Sequence, residues 1–209
     1  MYTPSPAVPR NAVDLRPRGL VDLRGGVRTP DALRYPPGAV VVVSGLPGSG
    51  KSTALRHWST AAAVVDPRTT HLACEAVMPG WLPYALYRPW ARLRHFRRQQ
   101  RAARSGQHLL VHDCGSRPWI RRHLARTVHR QGRELHLVLL DVGPDEALTG
   151  QQARGRWAPR RVFARHQRGL RVLLRELDRL GPAAVPEADS VLLLDRTSRE
   201  HLPRLTFEP

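Results

Sequence analysis

The residues with the most specific chemistry lie in one glycine-rich stretch between residues 45 and 53. Its letters, GLPGSGKST, complete the pattern G-x-x-x-x-G-K-[ST], in which backbone N–H groups surround phosphate oxygens at positions that a Cβ would obstruct. The lysine of this pattern bridges the β- and γ-phosphates, and the next hydroxyl ligates Mg²⁺. We therefore predict a loop that binds ATP and Mg²⁺, made of Gly45, Leu46, Pro47, Gly48, Ser49, Gly50, Lys51, Ser52 and Thr53.

Lys51 and Ser52 are the residues of this loop with individual roles. Lys51 is the only lysine among 34 basic residues, and a compact ammonium suits a place between phosphate oxygens better than a planar guanidinium does. Ser52 is the predicted Mg²⁺ ligand. The alternative is a chance glycine turn between a strand and a helix, and the complete motif in that context argues against it.

Asp113 follows a short apolar run, 108–112, at a position where a strand-end carboxylate would hold Mg²⁺. No glutamate follows it, and the chain has no guanine-reading N-K-x-D motif. These two features favour phosphoryl transfer to a hydroxyl over motor-type ATP hydrolysis or a GTPase switch. The alternative role for Asp113 is a cap on a turn or helix.

Asp66 ends another apolar run, in the sequence VVDPR. The carboxyl ends of neighbouring parallel strands share a crevice, so Asp66 should face the same cleft as the phosphate loop. There it could accept the proton of an acceptor hydroxyl, while Arg68 binds an anionic part of the acceptor. A simple Asp-Pro-Arg turn is the alternative. Either Asp66 or Asp113 could be the stronger base, because two carboxylates in one cleft titrate together.

The segment 152–161 joins two predicted helices and packs arginines around glycine and proline. Such a segment can act as a lid, because closing arginines stabilise the charge of a transferring phosphoryl group and the closed loop excludes water. On this basis Arg154 and Arg156 are predicted catalytic residues. Solvated surface arginines are the alternative in a chain that contains 33 of them.

The elements that would position these residues are strands alternating with helices. Apolar runs bounded by turn signals predict five strands, at 39–43, 62–65, 108–112, 135–140 and 191–194. Helices are predicted at 51–60, from Ser116 to about 131, from Pro144, and from Arg160 to Gly181. Unbroken apolar strands between helices predict an α/β fold with a parallel sheet covered on both faces.

These residues resemble P-loop kinases of the zeta-toxin, chloramphenicol-phosphotransferase and polynucleotide-kinase type, often labelled AAA-family ATPases. The resemblance covers roughly residues 37–197 and rests on the phosphate loop, the two strand-end aspartates and the arginine lid. It implies a three-layer P-loop NTPase fold with a five-stranded parallel sheet in the order 2-3-1-4-5. It also implies Asp66 as the base and lid arginines at Arg154 and Arg156. Family members often carry a fuller Asp-x-x-Arg or Asp-x-Asp pattern where Pro67 separates Asp66 from Arg68.

Domain organisation follows from the change in composition near residue 38. Residues 1–38 are a Pro/Arg-rich N-terminal extension, and residues 39–209 are the predicted kinase domain. Within it, the insertion 78–104 lies where such kinases place acceptor-binding helices, and it contains five aromatic residues followed by arginines. The aromatics Trp81, Tyr84, Tyr87, Trp90 and Phe96 could stack on a base or sugar. At helical spacing they also fit a helix packed on the core with a solvated arginine face.

Net charge and hydropathy bear on the classes of partner and on the location of the protein. A net charge of +17 raises nucleic acid as a partner, although coding bias toward arginine is an alternative source, and we do not favour nucleic acid at this point. No apolar run approaches the length of a membrane span, so we expect a cytoplasmic protein.

These features together predict a phosphotransferase with an alcohol group as acceptor. A small molecule is slightly favoured as that acceptor. The alternatives are a polynucleotide 5′-hydroxyl kinase and a non-catalytic ATP-gated regulatory protein.

Overall fold

The computed structural model describes residues 13–26, 28–113, 118–155 and 157–208, without the side chain of Tyr84. These residues form nine strands: β1 (Asp14–Leu15), β2 (Gly19–Asp22), β3 (Ala32–Tyr35), β4 (Val40–Gly45), β5 (Ala63–Val65), β6 (Leu109–His112), β7 (Leu135–Leu140), β8 (Ser190–Leu194) and β9 (Arg204–Phe207). They also form seven α-helices: α1 (Lys51–His57), α2 (Pro67–Glu75), α3 (Tyr84–Arg104), α4 (Pro118–His129), α5 (Pro144–Gln152), α6 (Arg160–Leu180) and α7 (Arg196–Glu200).

The main sheet has six parallel strands in the order β2-β8-β7-β4-β6-β5. The five predicted strands are β4 to β8, and their order from the β5 edge is 2-3-1-4-5, as the resemblance implied. The α/β prediction is therefore confirmed. The sequence did not predict the sixth strand, β2, which pairs with β8 from Gly19↔Ser190 to Asp22↔Leu193. It was missed because GLVD is a short, half-buried edge strand with little apolar content.

A second sheet of three parallel strands, in the order β1-β3-β9, was also not predicted. In this sheet β3, which precedes the phosphate loop, pairs with β9. Leu33, Tyr35 and Leu205 of this sheet are buried. The described part of the Pro/Arg-rich extension therefore contributes strands to both sheets. The domain boundary at residue 38 stays a prediction.

The two faces of the main sheet are covered by different layers. Alternate strand residues on one face pack with side chains of α3, α4 and α6, such as Ala103, Leu124 and Leu177. The opposite face packs against α1, through Leu55 and Trp58, and against the second sheet. Because successive strand residues point to opposite faces, both sets come from the same unbroken apolar runs.

Several helix predictions are close to the observed bounds. Helix α5 begins at Pro144, with Asp145 and Glu146 in its first turn, and α6 ends before Gly181, whose φ is +58°. Helix α4 runs from Pro118 to His129. Its predicted cap, Ser116, lies outside the described residues. Searched over the described residues, no helix has both the length and the apolar character that crossing a membrane requires.

Candidate active site

The phosphate loop lies between the end of β4 and the start of α1, so the strand–loop–helix arrangement is as predicted. Gly48 and Gly50 have φ values of +94° and +93°, in the left-handed region that side chains rarely adopt. A Cβ on Gly48 would overlap the carbonyl oxygen of Ala147, and one on Gly50 would lie 2.9 Å from Arg199 Cδ. Both glycines are needed for the backbone to form this cradle.

Lys51 is held against the loop that precedes it. Lys51 is buried, with only 4% of its surface exposed. Its Nζ donates hydrogen bonds to the carbonyl oxygens of Gly45 (2.8 Å) and Leu46 (2.6 Å). These bonds hold the ammonium charge beside the phosphate loop. The concentrated positive potential suits a polyphosphate.

Helix α5 packs against the phosphate loop at Pro47 and Gly48. Gln151, which is buried, donates from Nε2 to the carbonyl oxygen of Pro47 (3.1 Å) and accepts at Oε1 from the N–H of Ala158 (2.7 Å). One side chain therefore connects the phosphate loop to the segment predicted as the lid. Gly150 makes the close approach sterically possible, since a Cβ there would overlap the carbonyl oxygen of Gly48.

Arg199, on α7, makes a second contact with the phosphate loop, which the sequence did not predict. It donates to the carbonyl oxygen of Ser49 (2.9 Å) and forms an ion pair with Glu146 of α5 at 2.7 Å. Helix α7 is fixed in turn by a capping box between Asp195 and Ser198. The only available signal was that box, a D-x-x-S pattern directly after a strand.

A cavity of about 1520 Å³ opens beside the loop. Six of the predicted site residues line it together: Ser52, Thr53, Asp66, Arg68, Asp113 and Arg154. They come from α1, the ends of β5 and β6, α2, and the segment after α5. The parallel strands thus bring distant parts of the sequence to one edge of the sheet. Arg156, the other predicted lid arginine, lies outside the described residues.

Asp66 does two things in this arrangement. Its Oδ1 accepts a hydrogen bond from the N–H of Arg68 (2.9 Å), so it is the N-cap of α2, with Pro67 in the first turn. It also lines the cavity and lies 3.7 Å from Nδ1 of His112. The alternative for Asp66 was a simple Asp-Pro-Arg turn; in the structure Asp66 caps α2 and lies in the cleft as well.

His112 is a residue of the site to which the sequence analysis gave no role. It ends β6, directly before Asp113, and lines the cavity. Burial lowers its pKa to about 4, helped by the positive charge of Lys51 and opposed by the carboxylate of Asp66. The imidazole is therefore neutral at pH 7. Its only sequence signal was its place at a strand end.

Helix α3 supplies one wall of the cavity, and among the predicted aromatic residues whose side chains the structure describes, Phe96 is the one that lines it. Arg88, Arg92 and Phe96 line the cavity, whereas Tyr87 is buried against Cys74. Trp81 precedes α3 and is 79% exposed outside the lining. Stacking of an acceptor on Phe96 is compatible with the structure.

The cavity wall is rich in cationic groups. Its other basic and imidazole side chains are Arg56, His71, His95, Arg121, Arg165 and His166, against the two carboxylates Asp66 and Asp113. Burial also lowers the pKa of His95 below its usual value. Such a wall attracts an anionic ligand.

Residues 40–173, more than half of the chain, match the protein-family model described as AAA domain. The chain belongs to the AAA-domain family. No curated protein sequence gives a comparable match. Solved structures with a similar fold include a putative kinase from Chloroflexus aurantiacus, which is 18% identical, with a TM-score of 0.53 over 80% of this chain and 90% of that chain. Another is the PezAT chromosomal toxin–antitoxin system of Streptococcus pneumoniae, 14% identical, with a TM-score of 0.55 over 78% of this chain and 68% of that chain.

At these identities the solved structures show the fold alone. This AAA-domain chain has the fold of P-loop kinases, and the resemblance seen in the sequence is confirmed. Family and fold together support a nucleotide-binding protein and, in general, a nucleotide-dependent kinase. They do not identify an acceptor.

Proposed function

We propose that this AAA-domain protein is an ATP-dependent phosphotransferase that moves the γ-phosphoryl group to a hydroxyl of an anionic small-molecule acceptor. The observation that carries the proposal is the placement of the phosphate loop beside a large cavity lined by Ser52, Asp66, Asp113 and Arg154. A protein that used ATP only as a signal would not need acid–base and cationic side chains converging on an acceptor-sized space.

The residues around the loop fit Mg²⁺·ATP. The glycine cradle and Lys51 would bind the β- and γ-phosphates, and the oxygens of Ser52 and Asp113 are the hard ligands that Mg²⁺ prefers. Bound there, the ion would neutralise charge on the phosphates. Asp113 is kept in place by its N–H, which donates to the carbonyl oxygen of Val43 (2.9 Å).

Asp66 is our candidate base. A new bond forms between the acceptor oxygen and the γ-phosphorus, the bond from that phosphorus to the β-bridging oxygen breaks, and ADP leaves. The acceptor proton passes to the carboxylate of Asp66, whose cap on α2 uses only one of its several accepting positions. Neutral His112, 3.7 Å away, leaves the carboxylate without a protonated imidazole as its close partner.

Arg154 and Arg156 are the candidate groups for stabilising charge on the transferring phosphoryl. Arg154 supports this role by lining the cavity, and Gln151 connects its segment to the phosphate loop. The role of Arg156 rests on the sequence prediction alone. Arg68 is the candidate group that binds an anionic part of the acceptor, since it is exposed to the cavity on the first turn of α2.

The test is transfer of labelled γ-phosphate from Mg²⁺·ATP to a panel of hydroxyl compounds. The panel contains phosphorylated sugars and nucleotides, their uncharged parents, aminoglycosides and oligonucleotides with a free 5′-hydroxyl. We expect a labelled product with an anionic small molecule, absent with Lys51→Ala. A product found only with oligonucleotides would favour the polynucleotide kinase. Tight ATP binding with no product from any acceptor would overturn the proposal in favour of a regulatory protein.

A further inference from the structure

Positive charge is distributed very unevenly over this protein. Helices α3, α4 and α6 together contain seventeen arginines and only two acidic residues, Glu176 and Asp178. All remaining residues contain seventeen basic and fifteen acidic side chains. Almost the whole net charge of +17 is therefore carried by three helices. A general bias toward arginine would have spread the excess over the chain.

These three helices form one layer. All of them pack on the same face of the main sheet, and the buried side chains that anchor them share one hydrophobic cluster. Sixteen of the seventeen arginines are exposed, and the exception, Arg121, is buried in an ion pair with Glu187 at 2.7 Å. We call these three helices with their exposed arginines the arginine layer; Arg88, Arg92 and Arg165 of this layer also line the cavity.

Helix α6 presents the most regular part of this surface. Its seven arginines fall within roughly 140° of the helix circumference, over a length of about 29 Å. They are Arg160, Arg161, Arg165, Arg168, Arg171, Arg175 and Arg179. The apolar side of α6 packs on the sheet through Leu177, with Leu170, Leu173 and Leu174 on the same cluster, so this face is not available to insert into a bilayer. A line of guanidinium groups suits a chain of phosphodiesters, which they can bind through two hydrogen bonds each.

Aromatic rings lie among these arginines. Trp119, at the start of α4, is 55% exposed and rests on Phe96, with ring centroids 5.8 Å apart. Phe96 also contacts His123, at 5.2 Å. On α3, the guanidinium of Arg94 lies 5.4 Å from the ring centre of Trp90, which is itself exposed. Exposed rings beside cations are the combination that binds unpaired bases and their phosphates together.

We propose that the arginine layer binds single-stranded nucleic acid. The phosphate backbone runs across α6 and α4 on exposed guanidinium groups, and unpaired bases stack on Trp119 and Trp90. This binding goes beyond the proposed phosphotransferase activity and needs neither ATP nor an acceptor. RNA and DNA strands share this chemistry, and the test separates them.

The test is binding of the full-length protein to fluorescent 20-nucleotide single strands of RNA and of DNA, measured by anisotropy without ATP over a range of salt. The variant is Arg168→Gln/Arg171→Gln/Arg175→Gln, whose positions are exposed and do not line the cavity. The control, Arg18→Gln/Arg28→Gln/Arg204→Gln, removes the same charge at exposed positions outside the arginine layer.

We expect the α6 variant to weaken binding by about a hundredfold near 0.1 M salt and to reduce the slope of log K against log salt by about 2, at roughly 0.7 per lost phosphate contact. The control should bind within about twofold of the unmodified protein. In an otherwise unmodified protein, Trp119→Ala should weaken the binding of single strands more than the binding of a duplex of equal length.

Three results would overturn the inference. One is equal loss of binding in the α6 variant and its control, which would make the effect one of net charge. Another is stronger binding to polyglutamate or to phosphatidylserine vesicles than to either oligonucleotide. The last is no binding of single strands at 0.1 M salt by a protein whose circular dichroism is native. Because ATP is absent, these outcomes do not measure phosphoryl transfer; Trp119 and Phe96 also line the cavity, so a base stacked on Trp119 would lie beside the proposed acceptor space.

Discussion

Replacing Gly150 by alanine tests whether α5 really holds the phosphate loop. Gly150 lies inside a helix, where alanine is normally the more stable residue by about 1 kcal/mol. Here, however, the new Cβ would overlap the carbonyl oxygen of Gly48, so α5 and the loop must separate by more than about half an ångström. The matched control is Gly169→Ala, in the middle of α6, where a Cβ would meet nothing within 4 Å.

The two substitutions should therefore have opposite effects. Gly169→Ala should raise the free energy of unfolding by about 0.5–1 kcal/mol and leave ATP binding unchanged. In Gly150→Ala the gain in helix propensity is offset by an overpacking cost of about 1–3 kcal/mol. Displacement of the loop should weaken the affinity for Mg²⁺·ATP by about tenfold or more.

Urea unfolding and calorimetric titration with Mg²⁺·ATP measure the two quantities on the same samples. If Gly150→Ala gained as much stability as Gly169→Ala and bound ATP normally, α5 would not pack on the loop as the structure has it. Gln151 would then not connect the loop to the predicted lid, because that contact depends on the same close approach.

Three further predictions follow from the site. Asp66→Asn should lower the rate of transfer by about 10²–10⁴-fold with little change in stability, because asparagine caps a helix as well as aspartate does. The stability of the fold should fall as pH drops from about 6.5 toward 4, because buried His112 and His136, with pKa values near 4, take up protons only on unfolding. Each such histidine contributes about 1.4 kcal/mol per pH unit in that window. Arg199→Ala should raise the KM for ATP more than it lowers kcat, because the residue contacts the loop backbone.

Each of these has a control that could contradict it. Asp66→Ala should lower the rate of transfer and also lose about 1 kcal/mol of stability. Equal stability in the alanine and asparagine variants would mean that Asp66 does not act as the cap of α2. In urea unfolding followed against pH, His136→Gln should flatten the slope between pH 4 and 6.5, and an unchanged slope would mean that His136 is not buried as a neutral group. If Arg199→Ala changed kcat and left KM alone, Arg199 would act on chemistry and not on ATP binding.

The main features of the fold could be predicted from sequence because they are local or periodic. The loop GLPGSGKST fixes its own strand–turn–helix context, and the strands are marked by apolar runs such as 135–140, which coincides with β7. The strand order came from the family resemblance and not from the residues. The second sheet could not be found, because its strands are two to four residues long and β3 pairs with β9 across more than 170 residues of chain.

The site was predictable where a residue type is tied to a strand end, as for Asp66 and Asp113. It was not predictable where a contact joins distant elements, as for Gln151 with Pro47 or Arg199 with Ser49. Nothing in the spacing of Gln151 distinguishes it from Gln152 beside it. The sequence also did not show that the arginines of α3, α4 and α6 belong to one layer, since only the packing of these helices brings them together.

The most direct test of phosphotransferase activity is the ratio of phosphorylated acceptor to ADP formed in the same reaction. With the acceptor identified from the panel, we predict one phosphorylated molecule for each ADP in the unmodified protein, and neither product with Lys51→Ala. ADP that accumulates without a phosphorylated acceptor would mean that water takes the phosphoryl group, and it would contradict the central claim that the cavity beside the phosphate loop binds the acceptor.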